Sequence, residues 1–421
     1  MMGLQMQANI VTPIQSHVRK AEFNMFILGI YWSFLKFMSY LGLFPCKLVA
    51  DLQTGVKRLV PIKGCVYLTR CIIFQCFLVA SNVVGMTVAK MDYAEIIDGV
   101  HLTQTDIISE FGSQFGMLLL YFGMTLHIWN ARFDLAKLQD HFQEHCPVST
   151  NTKLKGKITL FFFVYIISLN IGVFATLISM CHQLATREST DRNMILDIAL
   201  TFTFYGIVAV IMTLPLLVFQ VIFYNVINSI SIWFLELKNH ASKHPKEQYL
   251  KLLQAIRISK SLFSGFLFTF TFGTLLLIIF TAFFSISFIM SLSVSGSNQS
   301  NTMAMAIGTT IQMLGYAFIV YTLNMVSQQM TDNVQDLANQ LNEEIESESF
   351  CDGVMIIEQM LKRQKAKYVV DELRRFQGYD GLGFFTLGKS LLTAILANFT
   401  TFFIILIQFK LSENSKEESQ H

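Results

Sequence analysis

The chain contains one complete match to a phosphate-binding loop. Residues 383–390 read Gly-Phe-Phe-Thr-Leu-Gly-Lys-Ser, which fits G-x-x-x-x-G-K-[ST]. That loop binds phosphate when a buried strand precedes it and a soluble helix follows, so that backbone N–H groups and the Lys surround the anion. Here a charged helical pattern precedes the loop and a long apolar stretch follows it. The context opposes nucleotide binding, and Lys389 is expected to mark the inner start of a membrane span.

Two histidines have the spacing of metal ligands. His141 and His145 stand four residues apart, with only Glu144 and Cys146 beside them. No further ligand completes a site, so we expect a solvated loop. No Ser/His/Asp or Cys/His arrangement can be assembled either. We therefore predict that the chain is not an enzyme and binds no metal or cofactor.

Seven long apolar stretches hold most of the chain. A helix that crosses the hydrocarbon core of about 30 Å needs about 20 apolar residues, and lipid requires every span to close its own backbone hydrogen bonds. The predicted spans are Cys65–Val88, Ile107–Trp129, Ile158–Cys181, Leu196–Val221, Ser264–Leu292, Met303–Val326 and Leu387–Phe409. With 53% hydrophobic and 14% charged residues, the composition fits an all-α membrane protein with seven transmembrane helices.

The positive charges predict the orientation. Of the 31 Lys and Arg residues, 24 lie in the segments on the amino-terminal side of the membrane and 5 in the segments on the other side. The positive-inside rule then places the amino terminus in the cytoplasm and the carboxyl terminus outside. A G-protein-coupled receptor has seven spans in the opposite orientation, so the charges oppose that class.

An eighth apolar stretch, Phe23–Phe44, is not counted as a span. Lys36 lies in its middle, and a central Lys costs about 2.5–3.5 kcal/mol on insertion scales. Counting it would also reverse every later loop. We interpret residues 23–44 as a re-entrant or interfacial helix on the cytoplasmic face, because Tyr31, Trp32 and Tyr40 suit the headgroup layer.

These assignments divide the chain into five parts. They are a cytoplasmic amino-terminal segment (1–64), spans one to six with a ligand pocket (65–326), a cytoplasmic helical anchor loop (327–386), span seven (387–409) and an extracellular tail (410–421). The inner loops carry helical apolar patterns, such as Ile227, Ile230 and Phe234 after span four. Either these helices lie on the membrane, or extensions of spans four to seven pack together as an assembly domain.

Polar residues within spans must find a partner or a wet cavity. Those near the outer ends are the better ligand-binding candidates, namely Glu110, Gln114, Thr201 and Thr203. Deeper ones, among them His127, Thr269, Gln312 and Tyr316, fit interhelical hydrogen bonding equally well.

Span seven carries a stripe of small and polar residues. Ala397, Thr401, Ile404 or Ile405, and Gln408 fall on one helical face. Such a stripe among large apolar residues indicates either a tight helix contact or a pore lining.

The end of span seven resembles a family signature. The run Thr401-Phe402-Phe403-Ile404-Ile405-Leu406-Ile407-Gln408-Phe409 is similar to the T-Y-(five hydrophobic)-Q-F motif of insect gustatory receptors. Gly42-Leu43-Phe44-Pro45 is similar to a Gly-Leu-x-Pro phrase of the same family. Phe402 stands where the family usually has Tyr, and Phe403 stands where the sugar-receptor branch has Glu.

The resemblance implies a ligand-gated, non-selective cation channel made of four like or unlike subunits. It implies that span seven, with Thr401, lines the pore, that Gln408 and Phe409 lie at the gate, and that each subunit binds a small-molecule tastant. Such a receptor works in the plasma membrane of sensory neurons and binds no nucleic acid. An odorant receptor of the same superfamily is the nearest alternative; a G-protein-coupled receptor or a transporter fits less well.

The topology makes one prediction about glycosylation. Asn298-Gln299-Ser300 lies in a loop predicted to be external, whereas Asn398-Phe399-Thr400 lies inside span seven. We expect Asn298 to be glycosylated and Asn398 not. Asn298→Gln should remove a glycan-dependent mobility shift on gels, and Asn398→Gln is the matched control. Glycosylation at a site engineered into residues 327–382 would contradict the topology.

Overall fold

The computed structural model describes residues 32–50, 57–62, 69–70, 72–74, 76–77, 79–80, 104–145, 192–239, 247–292, 299–347 and 357–418. The helices are α1 Trp32–Tyr40, α2 Gln104–Asn130, α3 Arg132–His145, α4 Arg192–Asn239, α5 Glu247–Leu292, α6 Gln299–Ser347, α7 Ile357–Arg374 and α8 Lys389–Glu418. Two short antiparallel hairpins join β1 Cys46–Ala50 to β2 Lys57–Pro61 and β3 Asp380–Gly381 to β4 Phe385–Thr386.

Three helices are much longer than a membrane is thick. α4, α5 and α6 have 48, 46 and 49 residues, so each is about 70 Å long at 1.5 Å per residue. The hydrocarbon core takes up about 30 Å of that length. The predicted helical extensions of the spans are therefore confirmed, because each helix continues without interruption into its inner segment.

Four helices of the described chain are long and apolar enough to cross a membrane. Their apolar segments are Leu214–Lys238, Glu247–Ser287, Ala306–Glu346 and Lys389–Ser412. The last three include most of predicted spans five to seven. The whole of α4 includes predicted span four, but its segment Leu214–Lys238 shares only residues 214–221 with that span. α2 agrees with span two, and residues 69–70, 72–74, 76–77 and 79–80 of span one are helical. Span three lies outside the described residues.

The inner extensions pack against one another around an apolar core. The buried side chains that meet there are Ile230, Trp233 and Leu237 of α4, Leu252 and Ile256 of α5, Val334 and Leu337 of α6, and Val369 and Leu373 of α7. Each set repeats at three- or four-residue intervals, which places it on one helical face. Of the two alternatives for these segments, packing together is the one found. Met360 and Leu361 of α7 remain exposed.

The helices α2 and α5 approach each other closely through glycines. Gly112 and Gly123 of α2 face the Phe280 ring and the Thr269 side chain, so closely that an added Cβ would collide with either. On α5, a Cβ at Gly273 would lie 3.0 Å from Leu120. Small residues at such contacts let backbones approach and increase van der Waals packing, which is how helices associate in lipid.

The segment around His141 and His145 is a helix, not the solvated loop that we expected. α3 follows α2 after a single residue and buries Leu135, Leu138 and Phe142. The prediction was wrong because these apolar positions, spaced three and four apart, form a helical face that packs on α5.

The amino-terminal apolar stretch ends in a short helix and a hairpin. α1 has nine residues and buries Leu35 and Met38. The chain then turns at Gly42, whose φ is 78°, into β1 and β2. The hairpin was not foreseen, because five-residue strands give little periodic signal. Residues 23–31 of the stretch lie outside the described residues, so its re-entrant or interfacial placement stays a prediction.

The α2–α5 contact predicts a sharp difference between two glycines of α2. Gly123→Ala should lower the stability of the protein by about 1–3 kcal/mol, because the new methyl group collides with Thr269. Gly116→Ala is the matched control, since its Cβ would meet Leu276 at 3.4 Å, an ordinary contact. Thermal denaturation of detergent-solubilised protein, followed by size-exclusion chromatography, measures both. Equal melting temperatures for the two variants would contradict the proposed close approach.

Candidate functional site

The helix α8 is strongly apolar yet lies on the outside of the subunit. No residue in the most apolar segment of α8 is buried, whereas 78% of the residues in the most apolar segment of α4 are buried. α8 contacts α2, α5 and α6. A helix with this much uncovered apolar surface needs lipid or another subunit beside it.

Two stripes on opposite sides of α8 have different chemistry. The side that meets the bundle carries Phe399, Phe403, Leu406 and Lys410, and Lys410 is buried. The predicted stripe of Ala397, Thr401, Ile404 and Gln408 is exposed. Each of its members precedes or follows a contact residue by two positions, which is about 200° around a helix. The small and polar stripe therefore points directly away from its own subunit.

The three predicted pore residues all lie on uncovered surface. Thr401 and Gln408 are exposed, and Phe409 is 60% exposed. The Thr401 hydroxyl donates a hydrogen bond to the Ala397 carbonyl at 3.0 Å, so this polar side chain is satisfied within its own helix. Thr401 and Gln408 thus lie on one exposed face of α8, and Phe409 lies about 100° around the helix from Gln408.

The first amides of α8 are bonded by side chains of α6. The Gly388 N–H donates to Asn324 Oδ1 at 2.9 Å, and the Lys389 N–H donates to Gln328 Oε1 at 3.4 Å. Asn324 is fully buried. We call these four residues the cap. It satisfies amide groups that have no partner within a helix, and it fixes the start of α8 to α6.

The turn that precedes α8 is bonded to α5 through one carboxylate. Asp380 accepts hydrogen bonds from the Ser264 hydroxyl at 3.0 Å and from the Gly383 amide at 3.2 Å. Its other oxygen lies 2.9 Å from Lys260 Nζ. The Ser264 hydroxyl in turn accepts from the Leu382 amide at 2.9 Å. We call Asp380, Lys260 and Ser264 the clasp.

The electrostatics of the clasp favour an ionised Asp380. Partial burial by itself would raise the pKa of this carboxyl group. The hydrogen bonds from Lys260 and Ser264, together with the charge of Lys260, outweigh burial and lower the pKa below its ordinary value. Asp380 is therefore charged throughout the physiological range.

A buried tyrosine completes the attachment of this turn. Tyr379 is fully buried, and its hydroxyl lies 2.9 Å from the Ser259 hydroxyl of α5. Its ring packs edge-on against Phe223 of α4 and Phe376, with centroids 5.6 and 5.7 Å apart. The cap, the clasp and Tyr379 thus join three long helices to the start of α8.

The cap also excludes the phosphate-binding interpretation of residues 383–390. The amides of Gly388 and Lys389 would have to point at a phosphate group. They donate instead to Asn324 and Gln328.

The described residues contain no group of three or more metal-ligating side chains. His141 is held by protein contacts: its Nε2 lies 2.8 Å from the Lys251 carbonyl oxygen, and its ring packs on those of His145 and Trp233.

The predicted ligand-binding residues lie in helices. Glu110 and Gln114 belong to α2, and Thr201 and Thr203 to α4. Their side chains are outside the part of the chain that the structure describes, as is the whole of Asn298.

Polar residues nearby form interhelical bonds of the kind expected for a bundle. His127 Nε2 lies 3.0 Å from the Thr269 hydroxyl, and the Tyr316 hydroxyl donates to Met117 Sδ at 3.6 Å. The hydroxyls of Thr271 and Thr274 are buried and have no hydrogen-bond partner among the described residues.

Sequence reasoning missed the cap and the clasp. Asn324 and Gly388 are 64 positions apart, and Ser264 and Asp380 are 116 apart. The available signal was indirect: Asn324 is a polar residue that interrupts the apolar end of span six, and Tyr379-Asp380-Gly381 is a turn sequence.

The chain is similar in structure to two solved structures of an insect olfactory receptor. They are OR5 from Machilis hrabei, alone and in complex with eugenol; each has a TM-score of 0.58 and 13% identity, over 91% of this chain and 98% of that one. No protein-family profile and no curated protein matches the chain. The chain has the fold of an insect olfactory receptor. Its fold is that of an all-α membrane protein, as the apolar stretches predicted.

The clasp should show energetic coupling between its two charges. Lys260→Met and Asp380→Asn should each destabilise the protein, and the double-mutant cycle should give a coupling of about 0.5–2 kcal/mol, because the side chains are only 38% and 21% exposed. The pair Lys137–Asp134, 73% and 49% exposed, is the matched control and should couple by less than about 0.5 kcal/mol. Thermal denaturation of the solubilised protein gives both cycles.

The same pair predicts a pH dependence. The pKa of Asp380 is lowered in the folded protein. The contribution of this carboxylate to the stability of the fold is therefore fully present above the ordinary carboxyl pKa, and it is lost as pH falls through the lowered pKa. The coupling should stay constant between about pH 5.5 and pH 8 and weaken only below about pH 4. A coupling energy that disappears near pH 6.5 would show that Lys260 and Ser264 do not keep the Asp380 carboxylate ionised.

Proposed function

We propose that the chain is a subunit of a gustatory-type chemosensory receptor, a ligand-gated non-selective cation channel opened by a small-molecule tastant. Four subunits, identical or mixed with other gustatory receptor subunits, surround one pore. The channel lies in the plasma membrane of sensory neurons, with its amino terminus in the cytoplasm. The signature at residues 401–409 supports the gustatory branch, and the likeness to OR5 supports the wider architecture.

The uncovered stripe of α8 carries this proposal. Thr401 and Gln408 point away from the subunit on a helix that has apolar flanks. Polar side chains that face lipid are unfavourable, and those found within spans face a bundle interior or a water-filled path. Around a fourfold axis, four such stripes would line one channel, with Gln408 and Phe409 near its outer end.

The ligand pocket is proposed among the outer halves of the other spans. Glu110, Gln114, Thr201 and Thr203 are its candidates from sequence. The buried hydroxyls of Thr271 and Thr274, which have no hydrogen-bond partner among the described residues, lie deeper in span five and would extend the polar lining towards the middle of the membrane. One of the two OR5 structures is a complex with eugenol. A small organic molecule is therefore the ligand class that we propose for this chain.

The junction before α8 gives binding a route to the pore. In this proposal α5 belongs to the ligand-binding bundle and also holds the clasp, while α6 holds the cap. A ligand that shifts α5 relative to α6 would then pull on the turn 380–386 and reorient the start of α8. Residues 327–386 serve as the anchor between subunits, where the exposed Met360 and Leu361 of α7 supply apolar contact.

An odorant receptor is the second candidate. The two structural neighbours are olfactory receptors, whereas the gustatory assignment rests on the residues at the end of α8. Recording currents from the expressed protein against panels of tastants and volatile odorants would separate these functions. Responses to volatile compounds alone would favour the odorant receptor.

If Gln408 lines the pore, its substitution should change conduction rather than folding. Gln408→Ala should alter ion selectivity, block or resting current, because an amide that contacts permeating ions and water is lost. Gln408→Cys should make the current sensitive to small external thiol reagents. Whole-cell recording, with surface biotinylation to count channels, measures both effects.

Leu396→Cys is the matched control for thiol access. Leu396 is 65% exposed on α8 but lies about 120–140° around the helix from Thr401, Gln408 and Phe409, so modification there should leave current unchanged. Reduced surface expression with normal conductance in Gln408→Ala would mean that Gln408 packs against a neighbouring helix. Normal conductance without thiol sensitivity in well-expressed channels would remove Gln408 from the pore.

A further inference from the structure

The outward face of α1 has an unusual composition for a helix in water. Ser33, Lys36, Phe37 and Tyr40 are exposed and stand at i, i+3, i+4 and i+7, so they form one continuous stripe. Phe37 is 56% and Tyr40 79% exposed. Two large aromatic rings beside a lysine suit the boundary between lipid tails and headgroups, where amphipathic aromatic side chains concentrate.

The hairpin that follows α1 is attached at the level where α2 ends. The Cys46 thiol donates to the Arg132 carbonyl at 3.7 Å. The Arg132 guanidinium covers the Trp129 ring at 4.3 Å and donates to the Trp129 carbonyl at 2.6 Å. Trp129 is the last residue of predicted span two. The first residue of β1 therefore lies beside the membrane end of α2, and α1 precedes it by one tight turn.

The described residues of this module carry charge of one sign only, and Asp51 of the hairpin loop lies outside them. Residues 32–50 and 57–62 contain Lys36, Lys47, Lys57 and Arg58 and no Asp or Glu. Lys47 is exposed at the end of the hairpin that follows α1, and it pairs with the exposed Val60 of β2. No ion pair involves Lys36 or Lys47 within the described chain. Lys36 on the aromatic stripe and Lys47 on β1 are therefore two exposed positive charges without an ion-pair partner among the described residues.

Arg58 is engaged elsewhere. It lies near Asp140 of α3, where partial burial raises the pKa of the carboxyl group and the positive charge of Arg58 partly offsets that rise. Asp140 is eight residues after Arg132, about 12 Å along α3. Among the described side chains of the module, the positive charges without such a neighbour are therefore those of Lys36 and Lys47.

We propose that α1 and the start of the hairpin bind an anionic phospholipid of the adjacent leaflet. Lys36 and Lys47 hold the acidic headgroup, and Phe37 and Tyr40 insert beside its acyl chains. The membrane accounts for all three features of the surface: the aromatic side chains, the uncompensated lysines and the position beside Trp129. This binding is independent of the channel function proposed above.

The test measures lipid selectivity of the full-length, assembled protein. Purified protein is exchanged into nanodiscs that contain equal amounts of phosphatidylserine and phosphatidylcholine, and the lipid retained after mild detergent extraction is quantified by native mass spectrometry. Wild-type protein should retain phosphatidylserine preferentially, and less so at 1 M salt. Lys36→Gln/Lys47→Gln should reduce the preference by about fivefold for each lysine.

Matched variants keep the result interpretable. Lys137→Gln/Lys365→Gln removes two exposed lysines elsewhere and should leave the preference unchanged, and Lys36→Arg/Lys47→Arg should preserve it. If the double Gln variant does not assemble, Lys47→Gln alone gives the same comparison, since its side chain is exposed on a strand. The proposal would be overturned if the Gln variants kept the full preference for phosphatidylserine. It would also be overturned if the substitutions left lipid retention unchanged but released a second protein bound at this surface.

Discussion

The start of α8 depends on hydrogen bonds that α8 cannot make for itself. The first amide groups of any helix lack intrahelical partners, and here those groups lie where an apolar helix leaves the inner segments for the membrane. Asn324 and Gln328 supply the acceptors from α6. The position of α8 is therefore fixed by α6, and so is the direction in which the stripe of Thr401 and Gln408 points.

That dependence extends through the long helices. α4, α5 and α6 are continuous from the membrane into the inner bundle, where their apolar faces share one core. α5 and α6 contain no proline, so a displacement at one end of either helix is carried along its length, whereas Pro215 interrupts the backbone hydrogen bonding of α4. Tyr379 lies among Phe223, Phe263 and Phe376 and bonds Ser259, so the turn before α8 is joined to these same helices.

The sequence predicted the features that follow from periodicity and composition. Apolar length predicted the spans, the spacing of four and seven residues predicted that Ala397, Thr401 and Gln408 share one face of α8, and the same periodicity predicted helical inner segments. Reasoning failed where periodicity was overlooked, as in α3, or too short to be informative, as in β1 and β2. It also missed the cap and the clasp, because a polar residue that bonds a backbone group more than 60 positions away has no local pattern.

The hydrogen bonds of the cap and those of the clasp differ in how easily water can replace them. Asn324 is fully buried, so removing its partner would leave a polar group without water, which costs about 1–3 kcal/mol. Lys260 and Asp380 remain 38% and 21% exposed, so water can replace each charge's partner as the pair opens, and partly exposed pairs contribute little net stability. If the turn moves relative to the bundle, the Lys260–Asp380 pair will therefore break before the buried bonds that join Gly388 to Asn324 and Tyr379 to Ser259. Motion at the start of α8 is then a rotation about these two buried attachments, and the exposed stripe at the far end of α8 turns with it.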